Sequence, residues 1–247
     1  MYEHFSQIYD RYMDINYAQW GVFIDNIIKA HMPKASLVLD LGCGTGNLTT
    51  LFPHYEMIAL DISTDMLMVA REKAESLGQN VLFLNQDIRS FELYGTVDAC
   101  ICTCDCLNYI LEQDELLQTF RLVKNYLNPN GVFIFDINST HKFENILATN
   151  TFSQTEPNSA IIWENYYNKS TKINEYNLTI FTQQKNSMYI RNGEIHYQRA
   201  YTEQEIESFA KTAGLTVTGK YDGYTKNAPK LTSERLVYIV KNIAKGK

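Results

Sequence analysis

Two hydrophobic periods divide this chain. Over residues 2–32 apolar positions recur at helical spacing: Phe5, Tyr9 and Tyr12 fall at i, i+4 and i+7, and Trp20, Phe23, Ile24, Ile27 and Ile28 continue the stripe. The pattern predicts an amphipathic helical pair, closed by Pro33. Short apolar runs follow at residues 37–41, 56–62, 81–84, 97–103 and 132–137, and they suit strands buried on both faces. Helical stripes separate them. One is opened by Ser63 or Thr64, turns Met66, Leu67, Val69, Ala70 and Ala74 inward and stops at Gly78; another runs from Asp114, its cap, to the turn signal Asn128-Pro129-Asn130-Gly131. Strands alternating with helices in this way predict an α/β fold with a doubly wound parallel sheet.

The period changes after the fifth run. Residues 160–200 alternate apolar and polar side chains, with turn residues at 168–171 and at Asn192-Gly193, which predicts a local antiparallel sheet of hairpins. The α/β pattern then resumes: Thr202 and Glu205 form a capping box, Gly214 ends the helix, and 215–221 and 236–240 read as further strands. The expected organisation is a helical cap (1–33), a principal α/β unit (34–145 with 201–247) and an inserted antiparallel β lid (146–200).

Composition narrows the partners. The 247 residues carry a net charge of −6, which argues against a broad nucleic-acid-binding surface. No apolar run reaches the length of a membrane span, and the first residues carry acids rather than a signal-peptide core, so a cytoplasmic location and no membrane partner are expected. Five cysteines, an odd number, fit reduced thiols.

The chemistry concentrates in Leu-Val-Leu-Asp-Leu-Gly-Cys-Gly-Thr-Gly, residues 37–46. A buried strand would end at Asp40, and Gly42, Gly44 and Gly46 would turn the chain and bring bare backbone, including that of Cys43, to a ligand. Residues 47–52 could start a helix facing the same spot. Asp61 and Asp87 close the next two strands, so three acids line the carboxyl ends of three successive strands, where a doubly wound sheet binds ligands. Asp61 could accept both hydroxyls of a ribose, and Asp87 could accept an adenine amine; one acid alone would more readily be a cap, whereas three in step with a glycine cradle favour ligand binding. The glycine spacing is G-x-G-x-G rather than G-x-G-x-x-G, and no Gly-Lys-Ser/Thr follows, so the ligand is expected to contain ribose and adenine without a pyrophosphate.

These motifs resemble class I S-adenosylmethionine-dependent methyltransferases. The resemblance rests on D-L-G-C-G-T-G at 40–46, A-L-D-I-S at 59–63, N-Q-D-I at 85–88 and N-P-N-G at 128–131, and it covers residues 35–140. It implies a Rossmann-like seven-stranded sheet with an antiparallel last strand and S-adenosyl-L-methionine as cofactor. It further implies that Asp40 and the glycine loop hold the methionine portion, Asp61 the ribose, and Asp87 with Ile88 the adenine, with Ile62 and Met66 packing nearby. Ile8-Tyr9-Asp10-Arg11-Tyr12 and the β insertion are also similar to small-molecule N-methyltransferases of the glycine and amino-sugar type. There an N-terminal tyrosine covers the cofactor, which makes Tyr9 the candidate, with Tyr17 and Trp20 next and able to reach substrate; core packing is the alternative for each ring.

Cys100, Cys102, Cys104 and Cys106 alternate and would share one face of a strand that ran that far. A straight strand spreads them too widely for one metal ion, so small buried residues are expected and no metal. By the resemblance, Cys104 to Tyr109 passes beside the cofactor sulfonium. Tyr109 is the candidate for orienting or deprotonating the acceptor, although it could be an ordinary helix-start residue. Trp163, Tyr166, Tyr197 and Arg199 are candidates for lining the acceptor pocket. The N/D-P-P-Y motif of base-modifying enzymes is absent at 105–109, which lowers a nucleic-acid base as substrate. The expected activity is in-line methyl transfer from S-adenosylmethionine to nitrogen or oxygen of a small molecule by a monomer or homodimer. The rivals are a non-catalytic S-adenosylmethionine-binding protein and an RNA or protein methyltransferase.

Overall fold

A computed structural model describes residues 9–13, 15–185 and 187–243, with the backbone alone at Tyr9. The apolar runs form strands β1 (Leu37–Leu41), β2 (Glu56–Asp61), β3 (Val81–Asn85), β4 (Val97–Cys102) and β5 (Leu127–Asn138). With β10 (Thr216–Asp222) and β11 (Arg235–Lys241) they make a seven-stranded sheet in the order β10-β11-β5-β4-β1-β2-β3. β1 to β5 pair in parallel, whereas β11 is antiparallel to both β5 and β10. The chain order thus reverses between β1 and β4, which opens a crevice beyond their carboxyl ends.

Period-two alternation sends each strand's side chains into two cores. Leu39, Leu41, Phe133 and Phe135 join Phe120 of α4 (Gln113–Tyr126) and Ile206 of α5 (Glu203–Thr212) on one face. Val38, Ile101 and Ile134 meet Ile24 and Ile28 of α2 (Tyr17–His31) on the other. Both isoleucines are fully buried, each stabilising by about 1.5–3 kcal/mol. The helix α3 (Thr64–Ser76) turns Leu67, Ala70 and Ala74 onto β2 and β3, while Val69 is half-buried. Ser63 Oγ accepts from Met66 N at α3, and the Thr202–Glu205 capping box is formed at α5.

The second sheet lies between β5 and α5 in the chain. It comprises β6 (Thr151–Glu156), β7 (Ser159–Asn168), β8 (Ile173–Gln183) and β9 (Tyr189–Arg199), antiparallel in that order. Its inner face packs Ile161, Leu178 and Ile180 on Tyr12 of α1 (Tyr9–Tyr12), whose hydroxyl donates to Ser159 Oγ at 2.6 Å.

Four local expectations are corrected. No α-helix follows the glycine loop: a 3₁₀ turn at Thr49–Leu51 stands there, because Pro53 disfavours helical backbone at Phe52. The segment after α4 enters β5 at once at Leu127, with Asn130 left-handed at φ +65° and its N–H donated to Asn242 O, rather than forming a separate turn. Asn192-Gly193 lies inside β9, opposite Ile180 and Thr179, and the β8–β9 reversal falls at 184–188. Finally, α4 begins at Gln113 after Glu112, so Asp114 is in its first turn rather than at its cap.

Candidate active site

β1 delivers Asp40 to the crevice and ends at Leu41. The chain then turns through Gly42, Gly44 and Gly46, all at positive φ, and the Gly42 and Cys43 N–H groups donate to Leu60 O at 2.8 and 3.0 Å. A Cβ on Gly42 would overlap Cys106 Sγ, whereas around Gly44 the space is open, so bare backbone faces outward there. Gly44 N–H donates to Asp61 Oδ2 at 2.9 Å and Ser63 N–H to Oδ1 at 2.8 Å. The Ile62 backbone also bonds this carboxylate, which still has capacity for a further donor. Burial raises the Asp61 pKa against these backbone bonds.

Asp40 is buried. Thr49 Oγ1 donates to its Oδ2 at 2.6 Å, and Oδ1 has no partner among the described residues. Burial lifts its pKa to about 7, against the Thr49 bond and with the Asp61 charge adding to the rise. A buried, unpaired carboxyl oxygen beneath a backbone cradle could hold an ammonium group. Asp87 behaves differently: the Arg89 guanidinium donates to both of its oxygens and holds its pKa low, and Arg89 also bridges to Glu115. Ile88 packs against the core, Ile62 stands exposed beside Asp61, and Met66 is buried.

The end of β4 carries the sharpest bend. The strand stops at Cys102, and Cys104 and Asp105 are both left-handed, at φ +57° and +51°. The cysteine alternation therefore breaks, and Cys106 tucks under Gly42. Cys104 forms part of two spaces. It closes the narrow cleft bounded by Tyr17, Gly42, Cys43, Gly44 and Asn47. It also lines a cavity of about 600 Å³ between the strand ends, α1 and the second sheet. Trp20, Tyr109 and Trp163 line that cavity too. Tyr109 meets His196 edge-to-face at 6.1 Å, and Trp20 stacks on Tyr224 at 4.0 Å.

Parity on β9 decides which of its side chains reach the cavity. His196 and Gln198 face it, whereas Tyr197 and Tyr166 are exposed on the outer face of the sheet. Arg199 donates to Leu111 O and lies over Tyr201 instead. Tyr17 lies at the glycine cleft rather than the cavity. The Tyr9 side chain lies outside the described residues.

Sequence reasoning missed the polar floor of the cavity. Arg235 pairs with Asp105 Oδ1 at 2.7 Å and with Asp136, which also accepts from Tyr224 Oη at 2.6 Å. Asp105 N–H donates to Asp136 Oδ2 at 2.9 Å. Gln198 Nε2 donates to Asp105 Oδ2 at 2.6 Å, and its Oε1 accepts from Tyr176 Oη. A single acid inside the apolar run Val132–Ile137 was the one signal of such a buried pair, since an acid there needs a cation. A second tie holds the N-terminal segment: Asp10 accepts from Thr45, Asn47 and Lys73 across the glycine loop.

A glycine cradle with a strand-end carboxylate thus opens beside a separate cavity, an arrangement suited to a nucleoside ligand and a second molecule next to it. Comparison with known proteins agrees. A family model described as a methyltransferase domain matches residues 33–206. The solved S-adenosylmethionine-dependent methyltransferase from Clostridium acetobutylicum ATCC 824 is 33% identical, with a TM-score of 0.91 over 98% of this chain and 99% of that one. A protein of Geobacillus sp. (strain WCH70) that carries a methyltransferase name is 31% identical over 97% of this chain and 99% of its own length. The amino pentose methyltransferase CalS10 from Micromonospora echinaspora, solved with S-adenosylmethionine bound, shares the fold at 17% identity and a TM-score of 0.77, covering 98% of both chains. This chain belongs to the methyltransferase-domain family and is an S-adenosylmethionine-dependent methyltransferase. The unpaired Asp40 oxygen and the free lone pairs of Asp61 fit that cofactor's ammonium and ribose.

Proposed function

We propose that the enzyme methylates nitrogen or oxygen of a small molecule held in the 600 Å³ cavity. The observation that carries this reading is the shared wall: Cys104 bounds both the glycine cleft and the cavity. A volume of this size suits an enclosed small ligand. The amino pentose named for CalS10 is an acceptor of that class. When bound, S-adenosylmethionine supplies a methyl group on a sulfonium centre, already a good electrophile.

The chain's own residues then bind, orient and exclude water. Asp40 and the loop at Gly42, Cys43 and Gly44 would take the methionine portion, and Asp61 the ribose. Asp87 and Ile88 would meet the adenine, with Ile62 and Met66 beside it; Asp87 would have to share its oxygens with Arg89. Tyr9 and Tyr17 would cover the cofactor. Trp20 and Trp163 would wall the acceptor, and Tyr109 would orient its lone pair or take its proton. Tyr197 and Arg199 have no such role in the arrangement described above.

The test is a transfer assay with methyl-labelled S-adenosylmethionine, offered a fractionated metabolite extract, RNA and protein separately. Label in a low-mass fraction is expected. Label only in RNA or protein overturns the small-molecule reading, and no transfer to any fraction favours a non-catalytic binder.

A further inference from the structure

Among the described residues Asp105, Arg235 and Lys142 bring charge to the cavity, and only Lys142 has no ion-pair partner. Arg235 is held between Asp105 and Asp136, and His196 Nε2 lies 3.0 Å from Glu194. Lys142 is the exception. Its Nζ donates to the neutral Asn138 amide oxygen at 3.1 Å, and no carboxylate lies within ion-pair distance of it among the described residues. Asp105, Glu234 and Asp136 act on it only from beyond ion-pair distance, and Asp105 and Asp136 are already turned to Arg235.

The position of Lys142 is built rather than incidental. Its backbone N–H donates to Ser139 Oγ at 3.1 Å, and Asn138, its partner, is itself fixed by Asn108 Oδ1, which accepts from the Asn138 N–H at 2.9 Å. The ammonium thus stands on a rigid floor and lines the cavity. Burial and the Arg235 charge push its pKa down, although Asp105, Glu234 and Asp136 oppose the shift. A half-buried ammonium with two unmatched donors carries a desolvation cost that an incoming anion would offset. The wall around it is different in kind: Phe152, Ile161, Trp163 and Leu178 offer apolar and aromatic surface.

We propose that Lys142 is an anion seat within the acceptor cavity. The acceptor would then carry a carboxylate or phosphate on an apolar or aromatic body, with its anion on the Lys142 ammonium and its body against Phe152, Ile161, Trp163 and Leu178. This rests on the reading of the cavity as the acceptor site.

Titration calorimetry tests it on the full chain saturated with S-adenosylhomocysteine, using phenylacetate, phenyl phosphate and the neutral isostere phenylacetamide as probes. At least one anion should bind about tenfold or more tightly than the amide, a difference of about 1.4 kcal/mol. The tighter of the two anions identifies the preferred group. Lys142→Met should abolish that preference, Lys142→Arg should retain it, and both should leave S-adenosylhomocysteine affinity unchanged. The proposal is overturned if the amide binds as well as both anions, if neither anion binds at millimolar concentration, or if the preference survives in Lys142→Met. Failure of S-adenosylhomocysteine itself to bind would instead count against the cofactor reading, and it is read in a separate titration.

Discussion

Gln198 Nε2 donates to Asp105 Oδ2 at 2.6 Å, and this bond fastens β9 of the second sheet to the left-handed end of β4. Left-handed backbone at a non-glycine residue costs about 1–2 kcal/mol, so Cys104 and Asp105 hold their shape only because neighbours fix them. Gln198→Leu removes the donor to Asp105 and leaves the Tyr176 hydroxyl without its acceptor. We expect a loss of about 1–3 kcal/mol in stability, read from urea unfolding. An unchanged midpoint would show that the bond contributes nothing.

Gly42 is left-handed and its missing Cβ makes room for Cys106. Gly42→Ala should therefore destabilise the chain by about 1–3 kcal/mol. Two causes contribute, and a second variant separates them. In Gly42→Ala/Cys106→Ala the overlap is relieved and the backbone strain remains, so part of the melting temperature should return. Full recovery would mean that the left-handed turn costs nothing here.

The Asp40 pKa is raised to about 7, chiefly by burial, against 3.8 for an ordinary aspartate. The fold thus keeps a proton that the unfolded chain releases. The stability tied to this group is fully present below about pH 4 and is lost as pH rises to about 7, by an amount on the order of 2–4 kcal/mol. Asp61 is shifted in the same direction, so the difference between wild type and Asp40→Asn isolates the first residue. The variant should lose much of the decline between pH 4 and 7 and be the more stable protein at pH 8. Parallel curves for the two proteins would refute the assignment.

Asp61 accepts from the Gly44 and Ser63 N–H groups and from the Ile62 backbone, and keeps acceptor capacity beyond them. Asp61→Ala should weaken S-adenosylhomocysteine binding by about 1–3 kcal/mol in calorimetry. An affinity equal to wild type would remove Asp61 from the ribose site.

The principal sheet was legible because its strands are apolar runs bounded by glycines and acids, and because α3 and α5 announce their ends at Ser63, Gly78 and Thr202, whereas α4, with no side-chain cap, does not. The glycine cradle was legible for the same local reason. What escaped depends on parity or on distance along the chain. β9 is polar or aromatic at every position from His196 to Arg199, so nothing in the text says which alternate pair faces inward; the pairing with β8 decides for His196 and Gln198. Asn192-Gly193 has the composition of a hairpin turn, yet the continuous ladder from Ile173–Arg199 to Gln183–Tyr189 outweighs it. Arg235 and Asp105 are 130 residues apart and meet only when β11 inserts beside β5. Lys142 carries no motif at all, and it stands out only because no ion pair reaches it among the described residues.

If methyl transfer takes place beside Cys104, where the glycine cleft meets the cavity, bound cofactor must lie across that junction. The most direct measurement is a crystal structure of the full chain with S-adenosylhomocysteine bound. The amino acid portion is expected on Gly42–Gly46 and Asp40, the ribose on Asp61, and the sulfur beside Cys104, facing the space lined by Tyr109, Trp163 and Lys142. Density for the ligand away from the glycine loop, or a sulfur turned away from that space, would contradict it.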